Sequence, residues 1–292
     1  MIKHPKQHEP SNAAVLPLAV GSTLLANGRL RETQAEVSRA RHEVRLFFTA
    51  LMFLTRIPCP SWIDYSEEYL NKASRYFPLM GWIVGGCTAF VFWLSSFVMP
   101  SSIAILLSMV TSILLTGALH EDGFADFCDG FGGGWTKEQV LTIMKDSSLG
   151  TYGTTGICLL LALKYLCLMA ISPSLLPSIL IAGHSMSRLV ATSFISSHEY
   201  VWENENSKPR PLPKQMSRSE LVIAGFFGIM PFFLLEYYFL LLLIPVFIAK
   251  RLLGKFFVKR IGGYTGDCLG AAQQVSEVIF YLLSVMQPWK YF

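Results

Sequence analysis

The chain has 292 residues, of which 52% are hydrophobic and only 15% are charged. A soluble domain usually contains about 25% charged residues, so this composition excludes an ordinary soluble protein and is typical of a helical membrane protein with several spans. The net charge of +4 is small for this length, and we expect no nucleic-acid partner. Six cysteines without a CxxC pair argue against a zinc site and indicate reduced thiols.

Residues 1–45 differ from the rest of the chain. They contain a mildly apolar run, but Glu9, Pro17 and the lack of a clear cleavage site disfavour a signal peptide. We expect a loosely ordered extension that leads into a charged helix over about residues 30–45. Residues 46–292 are predicted to form a single membrane-embedded domain.

Apolar runs follow one another along this domain. The first, residues 46–57, is too short to span a membrane and ends near Pro58, so we expect an interfacial or re-entrant helix. Four longer runs predict spans, namely residues 77–99, 101–119, 154–171 and 176–195. The fold class is therefore all-α, a polytopic membrane protein with about six to seven transmembrane helices.

Two further apolar segments contain polar positions. The run 221–249 has one charge, Glu236, at its centre, which predicts two short helices that turn at Glu236, because a charge in the middle of a bilayer costs at least about 2.5 kcal/mol. The last segment, residues 275–286, is amphipathic and is expected to return to the membrane or lie along it.

The loops between these runs differ in charge. Alternation of the spans places the turns at 99–101, 172–175 and Glu236 on one side, without Lys or Arg. The other side carries basic residues at positions 56, 72, 75, 137, 145, 208, 210, 214, 218, 250, 251, 255, 259 and 260. By the positive-inside rule this second side of the multi-pass protein is cytoplasmic.

The motif HEDGFADFCDG at residues 120–130 lies on the predicted cytoplasmic side. If it is helical, Asp122, Asp126 and Asp129 stand at i, i+4 and i+7, on one face. Like charges this close repel unless a cation lies among them, and oxygen ligands of this kind suit Mg²⁺ or Mn²⁺ bound with a phosphate-bearing substrate. The alternative interpretation is a solvated acidic loop.

A second helix is expected directly after this motif. Thr136 and Gln139 have the spacing of a capping box, and the helix they open ends at Lys145 and Asp146. The two segments predict an acidic helical hairpin, in which Asp146 faces the aspartates as a further metal ligand or a general base. Alternatively, Lys145 and Asp146 only belong to the polar face of an amphipathic helix and have no role in the site.

The segment IGGYTGD, residues 261–267, follows a basic stretch. Its glycine amides can line an anion site, Thr265 offers a hydroxyl and Asp267 a metal ligand, although such turns are common and usually have no function. Carboxylates for metal, cations for phosphate and glycines for close backbone approach are together what phosphoryl transfer needs.

Four polar residues stand out beside or within the apolar runs. Lys164 lies midway along one span, and His184 and Arg188 share a face of another at i, i+4. Arg188 either lines a cavity or extends its head group to the membrane surface, whereas His184 is assigned a structural role. His120 is a candidate for contact with a phosphate or a ligand carboxylate. It does not begin a zinc peptidase motif, because Phe124 replaces the second histidine.

Four blocks of this sequence resemble those of the cobalamin synthase family, the adenosylcobinamide-GDP ribazoletransferases. They are FFTALMFLTRIPCP at 47–60, TGALHEDGFADFCDGFGGG at 116–134, IMKDSSLGTYG at 143–153 and GGYTGDCLGA at 262–271. The resemblance implies a polytopic, Mg²⁺-dependent membrane enzyme of the last steps of vitamin B12 assembly. Such enzymes join adenosylcobinamide-GDP to α-ribazole or its 5′-phosphate and release GMP.

The resemblance also implies roles for individual residues. The metal ligands are expected to be Asp122, Asp126, Asp129 and Asp267. The catalytic residues are expected to be Asp146 as preferred base, Lys145 and His120, and Ser147 and Thr265 are expected to bind the substrate. From the chain's own basic and glycine-rich positions we expect Arg188, Arg260 and Gly263 to bind it as well. The chain departs from the family pattern at Glu121, where an apolar residue is common, and at Cys268, where Thr is more usual.

Two other functions remain open on the sequence. A CDP-alcohol phosphotransferase shares the DxxDG fragment at 126–130, but the rest of its motif is absent, since Gly133 and Gly134 occupy its Ala-Arg position. A transporter would explain the spans and Lys164 but not the capped acidic hairpin. Besides the two substrates and the lipid bilayer, other late B12-assembly enzymes are candidate partners, and the oligomeric state is left open.

Overall fold

The computed structural model describes residues 38–63, 66–201 and 212–286. Most of the predicted extension, residues 1–37, therefore lies outside the described residues. Within the described residues all named elements are helical. They are α1 over 38–54, α2 Glu67–Ala73, α3 Phe77–Ser95, α4 Ser101–Thr116, α5 Leu119–Gly133, α6 Lys137–Lys145, α7 Thr151–Ala170, α8 Leu176–Ile195, α9 Arg218–Ile229, α10 Leu243–Ile261 and α11 Gly266–Met286.

Several of these helices are long and apolar enough to cross a membrane. In the described part of the chain there are four such stretches, Glu67–Ser95, Thr151–Ala170, Leu176–Ile195 and Gly266–Met286, and a fifth if α4 and α5 count as one broken span. The predicted all-α membrane fold is confirmed. The described residues offer four or five crossings, however, fewer than the six to seven predicted, because the two helices on either side of Glu236, α9 and α10, are not among them.

The division of the run 221–249 follows the prediction. Helix α9 ends at Ile229, two short 3-10 helices follow at Met230–Leu234 and Tyr237–Leu242, and α10 starts at Leu243. Glu236 is exposed between the two 3-10 helices. The last helix differs from its prediction, because α11 already begins at Gly266. Its first turns contain buried polar side chains, and these lower the local hydropathy, so the apolar pattern does not indicate where the helix begins.

Glycines on α3 allow the most extensive contact among helices α2 to α11 of the described residues, between α3 and α8. A Cβ added to Gly81 would lie 2.5 Å from the carbonyl oxygen of His184, and one added to Gly85 would lie 2.7 Å from the Cα of Ile181. Small residues bring helix backbones together in this way in membrane proteins. The contact fixes α8, whose last turns line the candidate site.

Replacing Gly81 by Ala is expected to lower the free energy of unfolding by about 1–3 kcal/mol, because α3 and α8 must move apart. Gly86 is a matched control on the same helix, since a Cβ there meets no atom within 4 Å. Gly86→Ala should leave stability unchanged or raise it by up to about 1 kcal/mol through helix propensity. Thermal unfolding in detergent measures both, and equal effects would contradict the close-packing interpretation.

A sharp bend of 87° separates α4 from α5. It is made by two successive left-handed residues, Gly117 with φ 65° and Ala118 with φ 60°. Gly117 also contacts Arg56, since a Cβ there would meet the Arg56 guanidinium. Helix α5 begins directly after the bend and carries four acidic residues, so we place it outside the membrane-spanning segments.

Candidate active site

Two more glycines bring the acidic motif of α5 against the start of α11. A Cβ added to Gly270 would lie 3.2 Å from the Cα of Gly123, and one added to Gly123 would lie 3.1 Å from the Cα of Asp267. Close crossing of the two helices therefore places Asp267 beside the aspartates of α5. The sequence predicted these residues for one site, although 130 residues lie between the two motifs, 120–130 and 261–267.

The carboxylates at this crossing repel one another electrostatically. The pKa of Asp126 is raised to about 7, first by burial and then by the negative charges of Asp267, Asp122 and Asp129. The repulsion predicted from the spacing is therefore present, and a cation would relieve it.

These carboxylates do not form a closed metal cage. Among the described residues no group of three or more His, Cys, Asp or Glu side chains is arranged to hold a metal ion. Mg²⁺ is nevertheless often bound by only one or two carboxylates together with substrate phosphates, and it keeps several waters. The exposed Asp122 and the half-buried Asp126 fit that donor set.

Asp129 has a different environment from its two neighbours. It is buried, and its carboxylate accepts hydrogen bonds from the backbone N–H groups of Gly150 and Gly153, each at 2.8 Å. These groups lie at the N-terminus of α7, whose N-cap residue, Gly150, has no side chain to cap it. Asp129 thus caps α7 from another helix, with both oxygens engaged, which sets it apart from the metal ligands with which the sequence grouped it.

A cavity of about 560 Å³ opens beside the acidic crossing. Its polar lining comes from His120 and Asp122 of α5, Asp267 of α11, and Arg188 and Thr192 of α8. The apolar lining consists of Met52, Phe53, Leu54, Phe77, Leu119, Ala191, Ile195, Leu212 and Leu269. One wall is therefore acidic, and the wall formed by α8 carries a guanidinium.

Arg188 is buried, with only 2% of its surface exposed. Its Nη1 donates to the carbonyl oxygen of His184 at 2.9 Å. The interpretation in which Arg188 extends to the membrane surface is therefore wrong, because the guanidinium turns inward. His184 lies 3.6 Å from Glu277 and is equally buried, in keeping with its structural assignment.

A buried polar network lies behind Arg188. The ammonium of Lys164 lies 3.1 Å from Glu277 Oε1 and donates to Gln274 Oε1, also at 3.1 Å. Gln274 donates in turn to Glu121, and the Tyr281 hydroxyl donates to Glu277, both at 2.9 Å. The sequence motifs did not indicate Glu277, Gln273, Gln274 or Tyr281. Lys164 was the available signal, because a cation inside an apolar span requires a buried acidic partner.

Comparison with known proteins identifies the family. The sequence profile of cobalamin-5-phosphate synthase matches residues 46–285. The chain belongs to this family. Adenosylcobinamide-GDP ribazoletransferase of Shewanella frigidimarina (strain NCIMB 400) is 49% identical over 245 residues, 82% of this chain and 94% of the relative. The protein of the same name from Shewanella oneidensis (strain ATCC 700550 / JCM 31522 / CIP 106686 / LMG 19005 / NCIMB 14063 / MR-1) is 45% identical with the same coverage. No solved structure matches.

Three other residues predicted for a cobalamin-5-phosphate synthase site stabilise the chain around the cavity. Thr265 Oγ1 accepts from the backbone N–H of Cys268 at 3.3 Å and so caps α11. Gly263 is buried where a Cβ would meet the carbonyl oxygen of Glu199. Arg260 donates to the carbonyl oxygen of Gly134 at 2.7 Å, at the end of α5. None of the three lines the cavity.

The predicted capping box is confirmed, with Thr136 and Gln139 opening α6. Lys145, Asp146 and Ser147 are exposed where this helix ends, and they are not among the cavity-lining residues. Asp146 accepts from the backbone N–H of Ser148 at 3.0 Å, and hydrogen bonds to Ser148 lower its pKa. A general base must lie within hydrogen-bond reach of the proton it accepts, so the exposed position of Asp146 outside the cavity disfavours it in that role.

Proposed function

We propose that this chain is a Mg²⁺-dependent adenosylcobinamide-GDP ribazoletransferase. It transfers the adenosylcobinamide phosphate group to α-ribazole or its 5′-phosphate and releases GMP. The observation that carries the proposal is the cavity whose walls set Asp122 and Asp267 against Arg188, since a diphosphate with a divalent cation needs both kinds of group. The names of the family and of the two relatives support the choice of substrates.

Asp122 and Asp126, with Asp267 beside them, would hold the metal ion. When bound, Mg²⁺ would neutralise charge on the diphosphate and on the departing phosphate. Its binding is favoured here by the mutual repulsion of the carboxylates and by their oxygen donors.

The remaining chemistry falls to the residues of the cavity. The 3′-hydroxyl of the ribazole attacks the phosphorus that bears the cobinamide arm, and the bond from that phosphorus to the oxygen of GMP breaks. We assign the proton of the hydroxyl to His120, which lines the cavity, in place of Asp146 on the exposed turn. Arg188 offsets negative charge on the phosphates.

We also propose that the site faces the cytoplasm of a bacterial cell, from the inner membrane. The proposal rests on charge, because the turns at 99–101 and 172–175 contain no Lys or Arg, whereas α6 and α10 carry Lys137, Lys145, Lys255 and Lys259. The nucleotide substrate would then enter from the cytoplasm.

The test is release of GMP by the detergent-purified protein from adenosylcobinamide-GDP and α-ribazole 5′-phosphate, with Mg²⁺ and with excess EDTA. We expect GMP and a new corrinoid with Mg²⁺, and loss of both with EDTA. Absence of GMP from folded protein, together with release of CMP from a CDP-activated alcohol, would contradict the proposal. Accumulation of unmodified substrate in sealed vesicles would instead indicate transport.

A further inference from the structure

Thr192 differs from the other buried hydroxyl residues of the helices. Ser193, Thr88 and Thr116 each donate to a backbone carbonyl three or four residues earlier, at 2.6, 2.8 and 3.0 Å. The Thr192 hydroxyl has no hydrogen-bond partner in the described part of the chain, although Thr192 is only 1% exposed. A buried polar group without a partner costs free energy, and such groups are rare in folded proteins.

Arg188, one turn earlier on α8, also has a buried donor atom without a hydrogen-bond partner. Its Nε is buried and lacks a hydrogen-bond acceptor, while Nη1 is engaged by His184. The ion pairs within 4.0 Å among the described residues do not include Arg188. Both unpartnered donors belong to residues that line the same cavity.

The network behind Arg188 limits its choice of partner. Glu277 is already engaged by Lys164, Tyr281 and Gln273, the last through a hydrogen bond of 2.6 Å to Oε2. Glu277 is thus committed elsewhere, and among the described residues no ion pair within 4.0 Å joins Arg188 to Glu121. A guanidinium Nε and a hydroxyl that both lack an acceptor, on one helix face, are suited to an anion with several oxygens.

We propose that Arg188 and Thr192 form an anion subsite that binds a phosphate group of the nucleotide half of the substrate. This inference rests on the proposed function for the identity of the nucleotide. Oxygens of the phosphate accept from Nε of Arg188 and from the Thr192 hydroxyl, in the same cavity as Asp122 and Asp267. Thr192 is a substrate-binding residue that the motifs do not mark.

The test is binding of GDP to the full-length protein in detergent, with EDTA present so that the acidic wall does not contribute through a metal ion. Thr192→Val keeps the shape of the side chain and removes the hydroxyl. We expect it to weaken GDP binding about tenfold or more, since hydrogen bonds to charged groups are strong. The melting temperature of the nucleotide-free protein should stay the same or rise, because an unpartnered buried hydroxyl is lost.

Three further variants sharpen this test. Thr192→Ser should restore binding, and Arg188→Lys, which retains the charge but lacks the Nε donor, should weaken it. Thr88→Val is the matched control, because Thr88 is also buried but donates to Gly85, and it should leave GDP affinity unchanged.

Two results would overturn the subsite: equal GDP affinity in the wild type and Thr192→Val, or no GDP binding by the wild type in EDTA. A protein that binds GDP through Thr192 but releases no GMP from adenosylcobinamide-GDP would refute the proposed reaction and leave the subsite standing.

Discussion

Asp126→Asn is expected to lower Mg²⁺-dependent GMP release by about 10²–10³-fold, while the protein remains folded. Asp126 is the half-buried carboxylate at the centre of the acidic crossing, and Asn offers a neutral oxygen in its place. Without Mg²⁺ the variant should be at least as stable as the wild type, because the repulsion from Asp122, Asp129 and Asp267 is removed. Turnover against Mg²⁺ concentration and thermal unfolding without metal are the two measurements.

The wild type should also need more Mg²⁺ for half-saturation as the pH falls from 8 to 6. The pKa of Asp126 is raised to about 7, so Mg²⁺ must displace a proton at the lower pH. Glu138→Gln serves as control, because Glu138 is an exposed acid in the first turn of α6. Normal turnover and an unchanged Mg²⁺ requirement in Asp126→Asn would exclude Asp126 from the metal site.

Asp129→Asn is expected to lower the free energy of unfolding by about 2–3 kcal/mol and to leave the Mg²⁺ requirement unchanged. The Asp129 carboxylate accepts hydrogen bonds from two backbone N–H groups at the start of α7, one with each oxygen. In Asn one of these oxygens is replaced by an NH₂ group, which is itself a donor and would face the second N–H group. The folded fraction should keep the Mg²⁺ requirement of the wild type. Thermal unfolding and GMP release at saturating Mg²⁺ distinguish the two effects.

The comparison variant for this prediction is Asp122→Asn on the same helix. Asp122 is exposed and lines the cavity, so this change should leave stability within about 0.5 kcal/mol and raise the Mg²⁺ requirement. The reverse pattern, with a stable Asp129→Asn that needs more Mg²⁺, would return Asp129 to the metal ligands.

Much of the fold followed from local patterns. The apolar runs marked α3, α4, α7 and α8 to within a few residues, and Glu236 marked the break between α9 and α10. The start of α11 was missed, because Asp267, Gln273 and Gln274 interrupt the apolar pattern. Gln273 and Gln274 are buried against other polar side chains of the bundle, which hydropathy along one chain does not register.

The sequence by itself determined the membrane class, the acidic face of α5, the capping box of α6 and the family, because these depend on composition and on spacing within one segment. Only the tertiary structure decided which polar residues pair with one another. Asp129 caps a helix 21–24 residues further along the chain, Glu277 pairs with Lys164, and Thr192 is left without a partner. Close helix crossings at glycine select these partners, and spacing along the chain does not encode which helices meet.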